Sequence, residues 1–340
     1  MQIGFALFDS IEISQTCNFE PTTPPLWQNS TFLVTILIET NDLWRKILTR
    51  GATMKIRKAV IPAAGFGTRM LPASKSVPKE MLPIYDKPTL HHIVKEVVDS
   101  GITDILIIIS KDKGSIEDYF DVNFELEYEL NKKSSEISGE IHELSKMANI
   151  YTIRQKKKNG LGDAIKYAES FVGNEPFAIL LGDDIIYNTE DELPCIKQMA
   201  DIYETEESPV LGVQEVSWED VYKYGIVNGV KTSDRITEVE SLVEKPSREE
   251  ATTNLAILGR YIVTPDIFPI LHETKPGKNN EIQLTDALNK LAEKRKMIAY
   301  DFIGKRYDVG NKLGFVKATV DFALHDEKIK DELLEFLREK

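Results

Sequence analysis

Cysteine and histidine are scarce in this chain of 340 residues, which contains two cysteines and five histidines. Cys17 and Cys195 lack the spacing of metal ligands and are too few for a disulfide framework, which agrees with a reducing cytoplasm. We expect Cys195 to be a buried, small apolar residue on a helix. The adjacent His91 and His92 show no catalytic pattern and are expected to form a half-buried structural pair on a helix. The chemistry must therefore come from other side chains.

Positive charge is also in short supply. The chain has 42 Lys and Arg against 55 Asp and Glu, a formal net charge of −13. This balance argues against non-specific binding to nucleic acid or to an anionic membrane, because both need a basic surface. The apolar run at 32–38 has seven residues, far fewer than the roughly 20 that span a bilayer. A local cluster of cations can still bind a small anion, since charges act over about 8 Å at physiological salt.

The most informative segment is 62–83, PAAGFGTRMLPASKSVPKEMLP, which directly follows the apolar run at 58–61. Gly65 and Gly67 lack a Cβ, so the backbone there can adopt positive φ and approach a bulky anion. The N–H groups of such a loop point at phosphate oxygens, and Arg69 and Lys79 add full charges. This order of strand, glycine loop and cations predicts a cradle for a triphosphate.

Two other glycine loops are excluded by the residues that follow. The dinucleotide fingerprint needs a small residue at position 70, where Met70 stands. A Walker A loop ends in Gly-Lys-Ser/Thr, whereas this loop ends Gly67-Thr68-Arg69. The continuation to Pro78-Lys79-Glu80 argues against an incidental surface turn.

Segment 62–83 resembles the signature of the sugar-phosphate nucleotidyltransferases, and Pro78–Pro83 is similar to the version in the uridylyl-type members. Further blocks of that family follow in the same order: Gly160–Ala164, Leu181–Asp183, Val243–Pro246, Asn254–Tyr261, Glu281–Asp286 and Asp308–Lys312. The resemblance extends from Lys55 to the C-terminus and does not include residues 1–53.

Strand and helix patterns alternate from Lys55 onward and predict an α/β fold with a doubly wound, mostly parallel mixed sheet. The resemblance implies a Rossmann-like, GT-A-like nucleotidyltransferase fold with C-terminal helices. The predicted strands are Ile56–Ile61, Asp104–Ser110, Tyr151–Arg154, Phe177–Leu181 and Ile236–Val243. The predicted helices are Thr89–Ser100, Asp118–Met147, Leu161–Phe171, Glu281–Lys294, Asn311–Leu324 and Lys328–Glu339. Ligands of such a sheet bind at the carboxyl ends of its strands.

Residues 1–53 stand apart, with two of the three tryptophans and the pair Pro24-Pro25. No basic region precedes their apolar run, which argues against a signal peptide. We interpret this segment as an upstream extension or a mis-assigned start, with Met54 as a plausible natural start. Residues 54–340 are predicted to be the nucleotidyltransferase domain, with a nucleotide-binding part (54–206), a sugar-phosphate-binding part (207–310) and a helical tail (311–340).

Two aspartates are the candidate metal ligands. Asp183 follows the predicted strand at 177–181, where a carboxylate beside a phosphate loop suits a divalent cation that bridges protein and triphosphate. Asp183 aligns with the metal-binding aspartate of the family, and the resemblance implies that Asp308 converges with it to hold Mg²⁺. Asp184 is expected to point away from Asp183 and to be structural.

The resemblance also implies the roles of other residues. Arg69, Lys79 and Lys245 are the candidate catalytic cations. Lys245 is expected to bind the phosphate of the sugar phosphate, Glu244 the sugar hydroxyls, and the backbone at Gly225 to approach the sugar. The candidate nucleotide-binding residues are Ala64, Gly65, Gly67, Thr68, Glu80, Gln155 and Gly160. Glu80 stands where the thymidylyl type usually has glutamine, which favours uracil as the base.

The reaction implied by the resemblance is UTP plus α-D-glucose 1-phosphate giving UDP-glucose and pyrophosphate, in a homodimer or homotetramer without nucleic-acid or membrane partners. Three alternatives stay open. The enzyme could use another base or sugar, as the thymidylyl type does. It could be a glycosyltransferase of the same nucleotide fold, which the pyrophosphate-handling cations disfavour. It could also be a catalytically silent nucleotide sensor, which the presence of both aspartates and both lysines disfavours.

Overall fold

The computed structural model describes residues 56–133 and 137–340. The segment 1–53, interpreted above as an extension, lies outside the described residues. That interpretation and the division at 206 and 310 stay predictions.

Thirteen strands and eleven α-helices form the described part of the chain. The strands are β1 (Lys58–Pro62), β2 (Pro83–Ile84), β3 (Lys87–Pro88), β4 (Asp104–Ile109), β5 (Asn149–Arg154), β6 (Phe177–Leu180), β7 (Asp184–Tyr187), β8 (Val210–Glu215), β9 (Gly225–Lys231), β10 (Ile236–Glu244), β11 (Leu255–Val263), β12 (Ile298–Asp301) and β13 (Lys305–Asp308). The helices are α1 (Thr89–Asp99), α2 (Gly114–Phe120), α3 (Phe124–Lys132), α4 (Ile137–Leu144), α5 (Leu161–Lys166), α6 (Glu169–Val172), α7 (Cys195–Glu206), α8 (Ile267–Glu273), α9 (Leu284–Ala292), α10 (Lys312–Ala323) and α11 (Lys330–Arg338).

Nine of these strands form one mixed sheet, in the order β5-β4-β1-β6-β11-β8-β12-β10-β9. The first four are parallel, and β11 runs antiparallel to both β6 and β8. The chain proceeds from β1 outward to β4 and β5, then returns to add β6 on the other side of β1. The carboxyl ends of β1 and β6 therefore lie side by side at a switch point, where such sheets bind ligands.

The alternating directions of the side chains along β1 explain why helices cover both faces of the sheet. Ala59 and Ile61 join one apolar cluster, which includes the apolar stripe of α1, whereas Val60 joins another with the buried side of α9. Successive strand residues point to opposite faces, so a strand buried on both sides needs apolar residues throughout. The predicted α/β class with a doubly wound sheet is confirmed, as is the helix that begins at Thr89.

Several predicted elements differ in detail. The helix predicted at 118–147 is not continuous: α2 ends at Phe120, and α3 begins after Asn123, whose side chain caps it by accepting a hydrogen bond from the backbone N–H of Leu126 at 3.1 Å. The helix predicted at 161–171 divides into α5 and α6. The charged segment at 118–147 lacks an apolar stripe that would fix the ends of a helix, so its break depends on the local cap at Asn123.

Cys195 is buried at the first position of α7, as predicted. His91 is buried and His92 half-buried on α1, and their rings meet edge to face. Among the described residues no helix is long and apolar enough to cross a bilayer.

Candidate active site

Two adjoining cavities open at the carboxyl ends of β1 and β6. The loop cavity, about 430 Å³, is bounded by the glycine loop, and the hairpin cavity, about 360 Å³, by the ends of β9, β10 and β13. They share four lining residues: Leu161, Leu181, Asp183 and Glu281. Of the predicted residues, Ala64, Gly65, Gly67, Thr68, Lys79, Glu80, Gln155, Gly160 and Asp183 line the loop cavity. Arg69, Asp183, Gly225, Glu244, Lys245 and Asp308 line the hairpin cavity. Every predicted site residue therefore reaches one of two connected spaces.

The two glycines of the loop have different roles. Gly67 has a left-handed backbone with φ 65°, and its carbonyl accepts a hydrogen bond from Ser74 Oγ at 2.7 Å. A Cβ at Gly67 would lie 3.2 Å from Lys79 Cβ, whereas a Cβ at Gly65 would meet no atom within 4 Å. Only Gly67 adopts the positive φ that the sequence allowed for both. The fold therefore requires glycine at 67, while glycine at 65 leaves space open beside the loop.

We expect Gly67→Ala to lower the free energy of unfolding by about 1–2 kcal/mol, because an L-residue is strained in the left-handed region. Gly65→Ala, the matched control, should leave stability unchanged or raise it by less than about 1 kcal/mol. Urea unfolding of both variants measures the difference. Equal losses at the two positions would contradict this reading of the loop.

A cluster of charges surrounds Asp183 where the cavities meet. Lys79 Nζ lies 2.5 Å and Arg69 Nη2 3.4 Å from Asp183 Oδ2. Burial lowers the pKa of Lys79, but attraction to Asp183 and Glu80 outweighs it and leaves that pKa raised. Burial alone would raise the pKa of Asp183, and Lys79, Arg69 and Arg306 together hold it below its usual value. Both groups are therefore charged at neutral pH. Lys79 can bind a phosphate in place of Asp183, and Asp183 can bind a metal ion in place of Lys79.

Asp183 and Asp308 converge although they are distant in sequence. The strands β7 and β13 pair antiparallel with Asp184 opposite Asp308, and the backbone N–H of Val309 donates to the carbonyl of Asp183 at 3.0 Å. A Cβ at Gly310 would lie 2.6 Å from Asp183 Oδ2 and 3.1 Å from Asp308 Oδ1, so both carboxylates crowd the same glycine. Two carboxylates with open space beside them fit Mg²⁺, which takes the rest of its ligands from phosphate and water. Within the described ranges no group of three or more His, Cys, Asp and Glu could hold a metal by itself.

Asp184 follows Asp183 directly and also lines the hairpin cavity, where it has a structural partner. Its buried carboxylate accepts a hydrogen bond from Arg306 Nε at 2.7 Å. Burial raises the pKa of Asp184 to about 6 against the attraction of Arg306, with Asp183 and Asp308 adding repulsion. Arg306 also donates to the hydroxyl of Tyr224 at 3.0 Å and lines the hairpin cavity. Arg306 was not among the residues predicted for the site, although its position two residues before Asp308 places both on one face of β13.

The sugar-side residues form a connected group. Glu244 accepts hydrogen bonds from Lys245 Nζ at 2.7 Å and from Thr285 Oγ1 at 2.6 Å. Lys245 follows β10 directly, has φ 49°, and its backbone N–H donates to the carbonyl of Tyr224 at 2.9 Å. A Cβ at Gly225 would lie 3.0 Å from Thr285 Oγ1, so the backbone approaches this group closely. The strained lysine is thus fixed at the cavity wall by its own backbone.

Glu80 has a partner that the sequence did not reveal. Its side chain is fully buried, and its Oε2 lies 2.7 Å from Lys113 Nζ, which also donates to the carbonyl of Ala63. Burial lowers the pKa of Lys113, while Glu80 opposes this. Glu80 Oε1 is buried without a hydrogen-bond partner in the described structure. This oxygen is available to a ligand that brings a donor.

Gln155 and Gly160 line the loop cavity from the segment between β5 and α5. Gln155 Nε2 donates to Asp163 Oδ2 at 2.9 Å. Gly160 has φ 105°, and a Cβ there would lie 2.7 Å from Glu281 Cβ. The backbone N–H of Ile282 donates to the carbonyl of Asn159 at 2.7 Å, which holds the two segments together. Close packing and the positive φ both therefore require glycine at position 160.

Comparison with known proteins places this geometry in a family. The model of the family described as "Nucleotidyl transferase" matches residues 58–324, and the chain belongs to that family. The UTP–glucose-1-phosphate uridylyltransferase of Bacillus subtilis (strain 168) is 50% identical over 284 residues, which are 83% of this chain and 96% of that relative.

Two solved structures are similar in fold and in sequence. A UDP-glucose pyrophosphorylase complexed with UDP-glucose superposes with a TM-score of 0.72 at 44% identity, covering 78% of this chain and 98% of the other. A UTP-bound UGPase from Acinetobacter baumannii has a TM-score of 0.76 at 35% identity, covering 84% of this chain and 99% of the other.

Proposed function

We propose that this protein transfers the uridylyl group of UTP to α-D-glucose 1-phosphate, releasing pyrophosphate and UDP-glucose. One observation carries the proposal: Arg69, Lys79, Asp183 and Asp308 meet at the junction of two cavities, one beside the glycine loop and one containing Lys245. A transferase needs one space for each substrate and a charged junction between them. Relatives that share half of the sequence carry the name of this activity.

The loop cavity is assigned to UTP. The edge of uracil presents two carbonyl acceptors on either side of one N–H donor. Glu80 Oε1 lacks a protein partner and can accept the N–H, while backbone N–H groups at Ala64 and Gly65 can donate to the carbonyls. The amide of Gln155 can donate as well once its long contact of 3.4 Å with the carbonyl of Gly160 is released. The backbone at Gly67 and Thr68 then faces the phosphates.

The transfer depends on neutralising the negative charges of the two substrates more than on acid–base catalysis. An oxygen of the sugar phosphate attacks the α-phosphorus, a new P–O bond forms, and the bond to pyrophosphate breaks in line. The nucleophile is already an anion, so no proton has to be removed. Arg69 and Lys79 hold the triphosphate and the departing pyrophosphate, and Lys245 holds the incoming phosphate, which reduces the repulsion between two polyanions. Mg²⁺ held by Asp183 and Asp308 would add positive charge at the α-phosphate.

Replacing Lys245 with alanine should raise KM for glucose 1-phosphate about tenfold or more, the loss of a charge-assisted hydrogen bond, and leave KM for UTP nearly unchanged. Initial rates of pyrophosphate release, measured with each substrate varied in turn, provide the test. Lys231→Ala, an exposed lysine on β9, is the control. Unchanged KM and kcat for glucose 1-phosphate would remove Lys245 from the sugar-phosphate site.

A panel of substrates separates the proposed function from its alternatives. Pyrophosphate release is measured with UTP, dTTP, ATP and GTP, each combined with several sugar 1-phosphates. Preference for UTP and glucose 1-phosphate supports the proposal, and preference for dTTP supports the thymidylyl type. Nucleotide binding without turnover in any combination would favour a silent sensor.

Assembly into a dimer or tetramer and a cytoplasmic location stay predictions. The C-terminal helices offer apolar surface for assembly, since Leu313 and Val316 of α10 and Phe336 of α11 are exposed. Light scattering coupled to size-exclusion chromatography measures the assembly.

A further inference from the structure

Phe66 and Lys158 meet across the loop cavity. Phe66 lies between the two glycines of the loop that follows β1, and Lys158 lies on the segment between β5 and α5. Both line the cavity, and Lys158 Nζ lies 3.2 Å from the centroid of the Phe66 ring, a cation–π contact. The two loops therefore approach each other through these side chains.

The environment of the pair differs from that of ordinary surface contacts. The Phe66 residue is 72% exposed, although the two alanines that precede the loop, Ala63 and Ala64, are buried. Lys158 is only half-exposed, and burial, with repulsion from Lys113, lowers its pKa. By contrast, the contact of Lys132 with the Tyr128 ring at 4.0 Å joins two residues one turn apart on the exposed helix α3, as helix geometry alone allows. Helix geometry does not account for a contact between two loops at a cavity.

The pair lies close to the part of the cavity assigned to the nucleoside. Phe66 directly follows Gly65, whose open side leaves room for a ligand, and Lys158 lies between Gln155 and Gly160. An apolar ring with so much exposed surface gains most if a flat, partly apolar group lies beneath it, as a pyrimidine and its ribose would.

We propose that Phe66 and Lys158 form a strap that closes over the nucleoside end of the bound nucleotide and slows its release. The inference rests on the proposed function, since it takes the loop cavity as the nucleotide site. The strap acts by position: it must open for the nucleotide to leave, and the cation–π contact holds it closed. It thus sets the lifetime of the complexes with UTP and with UDP-glucose, which share the nucleoside.

The test is the dissociation rate constant of each ligand, measured by stopped-flow on the full chain. Phe66→Ala and Lys158→Ala should each raise it about two- to fivefold, the range expected for one exposed cation–π contact. The double variant should be no faster than the faster single variant, because both remove the same contact. Lys158→Arg should keep the wild-type rate because it keeps a cation over the ring.

Matched controls come from residues of the same type outside the cavity lining. Lys157→Ala removes the neighbouring exposed lysine, and Phe124→Ala removes another exposed ring, on α3. Neither should change the dissociation rates. The proposal would be overturned if Lys158→Ala and Lys157→Ala had the same dissociation rate constants. Additive effects in the double variant would also overturn it. A dissociation rate constant that increased for UTP but not for UDP-glucose would also contradict the proposal, because the two side chains would then contact the triphosphate and not the shared nucleoside.

Failure of the strap is distinguishable from failure of the proposed function. If the wild-type protein binds UTP and UDP-glucose and only the variants behave like their controls, the strap alone is wrong. If the wild-type protein binds neither ligand, the assignment of the loop cavity fails as well, and with it both proposals.

Discussion

Replacing Asp183 with asparagine is expected to lower kcat about 10²–10³-fold, the usual loss when one preorganised electrostatic group is removed from an active site. The side chain keeps its shape but loses the charge that Lys79 and Arg69 surround at 2.5 and 3.4 Å. Asparagine is also a poor ligand for Mg²⁺ in a site that offers only two carboxylates. The effect should fall on kcat, because charge at the reaction centre matters most in the transition state.

The measurement is the rate of pyrophosphate release at saturating UTP and glucose 1-phosphate, with circular dichroism to verify the fold. Asp191→Asn, on the exposed turn after β7, is the control and should have the wild-type rate. Near-normal turnover by the Asp183 variant would remove Asp183 from the metal site and leave the charged junction without its proposed role.

The sequence predicted those parts of the site that depend on local order. The glycine loop follows a buried strand, and its cations lie within the next turns, so one continuous segment carries Gly67, Arg69 and Lys79 to the same place. Asp183 is found where the predicted strand β6 ends. These inferences hold because the carboxyl ends of parallel strands meet at one edge of a sheet.

The partners of these residues could not be predicted, because pairing between side chains of elements distant in the sequence leaves no periodic trace in it. Lys113 pairs with Glu80, and Arg306 with Asp184, in each case from a different element. The prediction ended the strand at Leu181 and did not include β7, which begins at Asp184 after a turn at 182–183. In the structure the N–H of Leu181 donates to the carbonyl of Gly259 at 2.9 Å, and Asp184 then begins a strand that pairs with β13.

The largest effect on stability is expected at Arg260, whose side chain is completely buried. Its guanidinium pairs with Glu96 of α1, with Nη2 2.7 Å from Oε2, and the same Nη2 donates to the carbonyl of Asp184 at 2.9 Å. Glu96 also accepts a hydrogen bond from the backbone N–H of Ile196 in α7 at 3.2 Å. This ion pair therefore joins the central strand β11 to two helices and to the residue that follows Asp183.

Arg260→Met should lower the free energy of unfolding by about 3–5 kcal/mol, because it leaves the carboxylate of Glu96 buried without its counter-charge. Urea unfolding measures the loss, and Arg248→Met, an exposed arginine that stacks on Trp218, is the matched control. The double variant Arg260→Met with Glu96→Leu should recover most of the stability, since an apolar pair often replaces a buried ion pair without loss.

The double variant also separates stability from function. It removes the donor to the carbonyl of Asp184, so a refolded double variant should still have a lower kcat than the wild-type protein if this hydrogen bond positions Asp183. Recovery of both stability and kcat would mean that the ion pair serves only to hold the elements together. If the Arg260→Met variant were as stable as the Arg248→Met control, the buried ion pair with Glu96 would contribute little to stability.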